Sequence, residues 1–234
     1  MLRVAVARVA GPGPDGGDAM PGWLGDSERR RWTTLPPAAR AAFAASRALL
    51  RELLQGATGV PAAAWQVSAE AGAAPVARAG GWPRDVHVSL SHRLGWVAAA
   101  VSDTVVGVDV ECDRPARSDP VERAALMLAP DELADWHAVA AGERAAALLA
   151  RWTAKEAWFK ACLPQAAPWD FRRVLARGCA VADARANVRT WRAPPVHVAL
   201  CCADAGALAA ARCDGLPAVD GEAFWHVAAI AQPH

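Results

Sequence analysis

The sequence predicts an α+β fold in which helices lie between two sets of strands. Seven short segments are apolar, or alternate between apolar and polar residues, as strands with a buried face do. These segments are 1–8, 86–92, 96–101, 105–111, 188–191, 196–202 and 224–230. Apolar residues recur at helical spacing over 36–55, which predicts a helix there. The chain beyond residue 115 is predicted to be mainly helical as far as about residue 163.

Glycine, proline and short polar runs mark the connections between these elements. Residues 11–26 and 71–84 are predicted loops, and residues 93–95 and 102–104 are predicted tight turns. The turns imply that three consecutive strands, 86–92, 96–101 and 105–111, run antiparallel. In the later helical region, helices are expected to start near 119–120 and 130–131, with a break at Gly142.

A short internal echo indicates two similar halves. Residues 196–200 read VHVAL and residues 86–90 read VHVSL. Five residues are too few to establish a repeat, but they permit a division near residue 104. We therefore expect an N-terminal half over residues 1–104 and a C-terminal half over residues 105–234 that carries the candidate site residues.

The composition argues against several classes of protein. Twenty-five basic residues face twenty-four acidic ones, so the chain lacks the cationic excess of a nucleic-acid binder. No apolar run approaches the roughly 20 residues that span a bilayer, and the N-terminus lacks the pattern of a secretory signal. The six cysteines form no Cys-x-x-Cys pair. A cytoplasmic protein with reduced thiols, not bound to membranes, is expected.

Two acidic residues stand out on the strand predicted at 105–111. Asp109 and Glu111 are two positions apart, so both side chains leave the same face of the strand. Their mutual repulsion would turn into attraction around a bound cation, and oxygen ligands favour Mg²⁺, Mn²⁺ or Ca²⁺. The alternative is an edge strand with ordinary surface acids.

A second cluster lies in the last predicted helix before residue 163. Glu156 and Lys160 are four residues apart on one helical face, and Trp152 and Phe159 flank them. Lys155 and Lys160 are the two lysines of the chain, in which every other side-chain cation except histidine is arginine. A compact ammonium suits a single phosphate oxygen or a shared proton. The alternatives are a surface ion pair and a chance placement of two surface lysines.

Further polar residues could contact phosphate groups. Ser91 and His92 lie at the end of a predicted strand, where a histidine can donate to a phosphate or titrate near neutral pH. Arg47 and Arg51 share a face of the helix predicted at 36–55, although a solvated stripe would look the same. The sequence contains neither a Ser-His-Asp order around these residues nor a glycine-rich phosphate loop.

Taken in order, three segments resemble the signatures of the surfactin-type 4′-phosphopantetheinyl transferases. They are SLSH at 89–92, GVDVE at 107–111 and WTAKEAWFK at 152–160. Each segment is weak alone, but their order and spacing together are specific. The resemblance implies two pseudo-twofold-related halves, each with helices on a small, mainly antiparallel sheet, with coenzyme A bound between them.

The resemblance also implies roles for the candidate residues. Asp109, Glu111 and Glu156 would ligate Mg²⁺ at the pyrophosphate of coenzyme A. Lys160 would neutralise developing charge, and Lys155 would lie on the phosphates.

The remaining candidates are assigned by the resemblance to the adenosine end of coenzyme A. Ser91 and His92 would contact its 3′-phosphate, with help from Arg47 and Arg51. A serine of an acyl, peptidyl or aryl carrier protein would attack the β-phosphate, and 3′,5′-ADP would leave. Glu156, or a water molecule on the metal, would take the proton. A monomer is expected.

Two departures from the family pattern bear on coenzyme A affinity. Residues 72–75 read GAAP, whereas the family usually carries a lysine or arginine between Gly and Pro, and Arg78 could substitute for it. Arg93 also stands where the family tends to have a small residue. Two other functions remain open: a non-catalytic module that binds coenzyme A or a carrier protein, and a magnesium-dependent phosphohydrolase.

Overall fold

The computed structural model describes residues 1–9, 19–113, 120–162, 170–181 and 183–230. The strands are β1 Leu2–Arg8, β2 Trp65–Val67, β3 Ala77–Ala79, β4 His87–Arg93, β5 Trp96–Ser102, β6 Val106–Cys112, β7 Val174–Cys179, β8 Val188–Ala193, β9 Val196–Cys202, β10 Cys213–Asp214 and β11 Gly221–Ala229. The α-helices are α1 Asp26–Thr34, α2 Pro37–Thr58, α3 Pro120–Met127, α4 Pro130–Ala138, α5 Arg144–Cys162 and α6 Ala205–Ala210.

The strands form two larger sheets and one small hairpin. The first sheet has the order β10-β1-β5-β4, and the second has the order β6-β9-β8-β11-β7. The hairpin joins β2 to β3. The pairings are antiparallel except for the short contact between β1 and β10, which is parallel. The predicted α+β fold with mainly antiparallel sheets is therefore confirmed.

The structure corrects several details of the prediction. Strand β6 does not continue the β4–β5 hairpin but pairs with β9 in the second sheet. The predicted loop at 71–84 contains β3, and the predicted loop at 11–26 ends at α1, although residues 10–18 lie outside the described part. Helix α6 and the strands β2, β7 and β10 were not predicted, because each is short and lacks a clear periodic pattern.

Each sheet buries one face against a long helix and the other in a core that both sheets share. Ala5 and Val101 of the first sheet pack with Leu54 of α2, and Ala199 of the second sheet packs with Ala157 of α5. The shared core joins residues of β1 and β5 to residues of β6 and β9, and Leu208 of α6 lies in it. The alternation along β6 therefore directs residues 107, 109 and 111 toward α5 and residues 106, 108 and 110 into the shared core.

The two sheets meet edge to edge through serine hydroxyls. Strands β4 and β6 are end strands of their sheets. The Ser89 hydroxyl accepts a hydrogen bond from the Val108 backbone N–H at 3.0 Å, and the Ser91 hydroxyl accepts one from the Val110 N–H at 3.2 Å. Side chains thus take the place of a backbone ladder at this junction.

The chain passes between the two larger sheets three times, from β5 to β6, from β9 to β10 and from β10 to β11. Residues 103–105 connect β5 of the first sheet to β6 of the second, which is where the sequence places the division into halves. Strand β10 returns from the C-terminal region to pair with β1. The division at residue 104 stays a prediction. Within the described residues, no helix is both long and apolar enough to cross a membrane.

Candidate functional site

Helix α5 lies directly over β6, and a glycine makes this approach possible. A Cβ atom at Gly107 would lie 2.0 Å from the Ala157 carbonyl oxygen and 2.7 Å from the Ala161 backbone nitrogen. Because contacts this short do not occur, only glycine fits here without displacing the helix. The close packing places Glu156 and Lys160 of α5 above Asp109 and Glu111 of β6.

Asp109 is the centre of this cluster. Its side chain is buried, and its Oδ1 accepts hydrogen bonds from the Lys160 ammonium at 2.7 Å and from the Ser91 hydroxyl at 2.8 Å. Its Oδ2 is also buried, yet it has no hydrogen-bond partner among the described residues. A buried carboxylate oxygen without a donor is costly, so this atom calls for a partner that the described residues do not supply.

Glu156 lies beside Asp109 with an altered protonation equilibrium. Burial and the negative charges of Asp109 and Glu111 together raise the pKa of Glu156 to about 7, although Lys160 opposes them. Two carboxylates that disfavour each other's charge are typical of sites that bind a cation or transfer a proton. Glu156 can therefore exchange a proton near neutral pH.

Glu111 has neighbours of its own. Its Oε2 lies 3.1 Å from the Arg93 Nε, and its Oε1 accepts a hydrogen bond from the Trp152 indole at 3.2 Å. Burial and the charge of Asp109 raise the pKa of Glu111, while Arg93 opposes them. Arg93, which follows His92, thus turns to a carboxylate of the site, a role that the sequence prediction missed. The alternation of β4 puts Arg93 on the same face as Ser91, which is the signal that could have revealed it.

His92 and Arg47 extend the site on the side of β4 and α2. His92 is exposed, and partial burial together with the charges of Lys160, Arg47 and Arg93 lowers its pKa. Arg47 stacks on the Phe43 ring at 4.2 Å, and burial lowers its pKa to about 10, so it stays charged at neutral pH. Its Nε is buried and makes no hydrogen bond to any described residue. Arg47 could therefore bind an anionic ligand by its charge, and His92 could donate a hydrogen bond to it.

Lys155 lies elsewhere, and its contacts differ from the predicted role at the coenzyme A phosphates. The residue is fully buried, and its ammonium donates to the Glu132 carboxylate and to the carbonyls of Met127 and Phe171. An ammonium has three donors, and all three are used. Lys155 therefore has no donor for a phosphate in this structure.

Arg51 is committed in a similar way. Its guanidinium donates to both carboxylate oxygens of the fully buried Glu28, and it lies over the Trp23 ring at 5.2 Å. A bidentate pair of this kind fixes the arginine in place. The structure therefore does not bring Arg51 to the cluster, although it does place Arg47 near it.

A signal in the sequence distinguishes these two cations from the site residues. Glu28 and Arg51 are 23 residues apart, as are Glu132 and Lys155. In each case a buried tryptophan, Trp32 or Trp136, follows the glutamate by four positions. This recurrence indicates a shared framework role for both pairs.

A cavity adjoins the site on the side of Glu111. It has a volume of about 230 Å³ and is lined by residues of β4, β6, α3 and α5, including Arg93, Arg123, Met127 and Trp152. Leu94 and Leu126, the chain neighbours of Arg93 and Met127, are 65% and 72% exposed. An apolar and cationic surface thus borders the carboxylates.

The arrangement of possible ligand side chains bears on the predicted Mg²⁺ site. Across the described ranges, no group of three or more His, Cys, Asp or Glu side chains is placed so that it could hold a metal ion. Lys160 and Ser91 occupy one oxygen of Asp109, and Arg93 and Trp152 lie on Glu111. The unpartnered Asp109 Oδ2 and the raised pKa values nevertheless fit a hard cation that also takes ligands from a substrate, as Mg²⁺ commonly does.

Comparison with known proteins supplies independent information. Residues 105–202 match the family model of the 4′-phosphopantetheinyl transferase superfamily. A comparison with curated proteins found no match. The matched region begins just before β6 and includes Asp109, Glu111, Glu156 and Lys160. Residues 105–202 are therefore similar to a domain of the 4′-phosphopantetheinyl transferase superfamily, and this similarity supports phosphopantetheine transfer in general.

Proposed function

We propose that this protein transfers the 4′-phosphopantetheine group of coenzyme A to a serine of an acyl, peptidyl or aryl carrier protein in a Mg²⁺-dependent reaction. The observation that carries the proposal is the cluster of Asp109, Glu111, Glu156 and Lys160 inside the matched region. The motif resemblance to surfactin-type enzymes agrees with it.

Asp109, Glu111 and Glu156 are the residues that would hold Mg²⁺. When bound, the ion would offset the negative charge of the coenzyme A pyrophosphate and of the reaction's transition state. The open Oδ2 of Asp109 is the best-prepared ligand atom, because it is already desolvated and lacks a donor.

The cations of the site would bind and orient the remaining phosphate charge. Lys160 is half-buried on Asp109 with an ammonium that has two further donors. Arg47 and Lys160 each act electrostatically on His92 and supply positive charge for the 3′-phosphate, and His92, whose pKa is lowered, would donate a hydrogen bond as a neutral imidazole. Positioning and charge compensation of this kind supply most of the rate in phosphoryl-type transfers.

The proton of the attacking serine would pass to Glu156. A bond forms between the serine oxygen and the β-phosphorus, and the bond from that phosphorus to the oxygen of 3′,5′-ADP breaks. The pKa of about 7 holds for the metal-free protein; a nearby Mg²⁺ would lower it, so Glu156 would be a carboxylate that can accept the proton directly or through a water molecule on the metal.

The surface beside the cavity at Glu111 would receive the carrier protein. Leu94 and Leu126 offer exposed apolar contacts, and Arg93 and Arg123 offer positive charge. Acidic helices that carry an apolar residue would complement this surface.

The test is the intact mass of an apo carrier protein after incubation with the protein, coenzyme A and Mg²⁺. We expect the carrier to gain one phosphopantetheine, and EDTA to prevent the gain. Glu156→Gln should slow transfer by about 10²–10⁴-fold while coenzyme A binding persists. Asp109→Ala should lose both binding and transfer unless excess Mg²⁺ restores them. Glu52→Gln, an exposed acid of α2, is the control and should transfer normally.

Other outcomes would replace the proposal. Binding of coenzyme A without any gain of mass across several carriers would point to a non-catalytic binding module. Release of phosphate from simple esters in the absence of a carrier would point to a phosphohydrolase. Full activity of both Glu156→Gln and Asp109→Ala would remove these residues from the reaction.

A further inference from the structure

Ser91 has a hydrogen-bonding pattern that does not suit a phosphate contact. Its side chain is 7% exposed. Its hydroxyl accepts from the Val110 N–H at 3.2 Å and donates to Asp109 Oδ1 at 2.8 Å. A serine hydroxyl has one proton to donate, and a phosphate dianion can only accept. Ser91 can therefore serve a 3′-phosphate only if it releases Asp109.

The two carboxylate oxygens of Asp109 differ in their hydrogen-bond donors. Oδ1 receives both the Ser91 hydroxyl and the Lys160 ammonium, whereas the buried Oδ2 receives no donor from the described residues. The terminal torsion of an aspartate is soft, so one donor leaves the carboxylate free to turn. A second donor from a different strand fixes which oxygen stays open.

We propose that Ser91 is a positioning residue that orients Asp109, keeping Oδ2 available to a divalent cation. This inference rests on the proposed function, because the cation in question is the Mg²⁺ of the transfer reaction. It replaces the predicted contact between Ser91 and the 3′-phosphate. Strand β4 thereby contributes to the metal site without supplying a ligand.

Ser89 provides a matched control on the same strand. It is also buried, and its hydroxyl accepts from the Val108 N–H at 3.0 Å, so it joins β4 to β6 as Ser91 does. In the described structure no hydrogen bond joins Ser89 to Asp109. Ser89→Ala and Ser91→Ala therefore lose equivalent contacts between the sheets, and they differ in the contact with Asp109.

The experiment measures binding of Mn²⁺, as a replacement for Mg²⁺, by electron paramagnetic resonance in the presence of coenzyme A. We expect Ser91→Ala to raise the dissociation constant of Mn²⁺ about tenfold, as befits one lost charge-assisted hydrogen bond. Ser89→Ala should leave it within about twofold, and Ser91→Thr should restore most of the affinity. If Ser91→Ala does not fold, Ser91→Cys keeps the packing with a weaker donor and should show the same direction.

Calorimetry with coenzyme A and with its 3′-dephospho form separates the two roles of Ser91. We expect Ser91→Ala to keep the wild-type ratio of the two affinities. Collapse of that ratio would return Ser91 to the phosphate and overturn the inference. Equal Mn²⁺ affinity of Ser91→Ala and the wild type, or an equal loss in Ser89→Ala, would also overturn it while leaving the transferase proposal intact. Absence of Mn²⁺ binding by the wild type would overturn both.

Discussion

The N-terminal and C-terminal regions share a framework but differ in their chemical groups. Strands β1 and β6 begin and end 104 residues apart, as do helices α1 and α4. In each region a buried glutamate accepts from the backbone N–H three residues before it, Glu28 from Gly25 and Glu132 from Ala129. Each glutamate also pairs with a cation on the long helix. In each region these contacts join a short helix to the long one, α1 to α2 and α4 to α5.

The difference lies where α2 crosses β1 and α5 crosses β6. At the positions that correspond to Asp109, Glu111 and Lys160, the N-terminal region has Ala5, Ala7 and Gly56. Burial of a charged residue therefore does not by itself indicate a role in the site. Lys155 belongs to the framework, since Arg51 occupies the corresponding position, whereas Lys160 has no counterpart.

The framework pairs should show the largest effects on stability. Lys155→Met leaves the buried Glu132 without its cation, which we expect to lower the free energy of unfolding by about 3–5 kcal/mol. Arg51→Met should cost less, because Arg47 still lies 3.9 Å from Glu28. Urea denaturation followed by tryptophan fluorescence would measure both effects. At temperatures where Lys155→Met is folded, coenzyme A affinity should stay within about threefold of wild type.

The matched control for this pair is the double substitution Lys155→Met with Glu132→Leu. Removing both charges should recover part of the lost stability, because no unpaired charge remains. A variant Lys155→Met that kept its stability but lost coenzyme A affinity would contradict the framework role and restore the sequence prediction.

Substitutions of Gly107 and of its counterpart in β1 test how much the close approach of α5 to β6 contributes to stability. Gly107→Ala places a Cβ against the Ala157 carbonyl and should cost about 2–3 kcal/mol while displacing Glu156 and Lys160 from Asp109. Arg3 occupies the corresponding position of β1 and is exposed, so Arg3→Ala should change stability by less than about 0.5 kcal/mol. Thermal unfolding of both variants would compare them. Equal, small effects would mean that α5 can shift without loss.

The smallest expected effect depends on pH. Because the pKa of Glu156 is raised to about 7, the folded metal-free protein binds more protons than the unfolded chain between about pH 4.5 and 7. Its stability therefore falls as the pH rises through that window. Glu156→Gln should raise the free energy of unfolding by about 1–2 kcal/mol at pH 8 and leave it nearly unchanged at pH 4.

Glu52 is the corresponding acid of the N-terminal region and is exposed. Glu52→Gln should change the stability by less than about 0.5 kcal/mol at both pH values. Thermal unfolding in EDTA at each pH would measure the four combinations. A loss of stability in Glu156→Gln at pH 8 would contradict the electrostatic cost assigned to this carboxylate.

Sequence patterns predicted the helix and the turn whose conformation depends on residues close together in the chain. The helix at 36–55 is α2, and the turn at 93–95 connects β4 to β5 with Leu94 and Gly95 at positive φ. The partner of β6 could not be predicted in this way, because pairing with β9 across about 90 residues depends on which edges remain open.

The sequence predicted the relative placement of side chains that are close together in the chain, but not that of distant partners. The spacing of Glu156 and Lys160 placed both on one helical face, and the structure brings that face to Asp109. The burial of Lys155 was not predictable from its own segment, since its partner Glu132 is an ordinary first-turn acid of α4 in the sequence.

The serine junction between β4 and β6 affects the solubility of either region when it is produced without the other. Each of these strands would expose unpaired backbone groups if the other were absent, and open edges of this kind recruit further strands. Each sheet thus shields the other from self-association. A fragment of residues 1–104 produced alone would expose the edge of β4 and would be prone to aggregate, so each region protects the other from self-association.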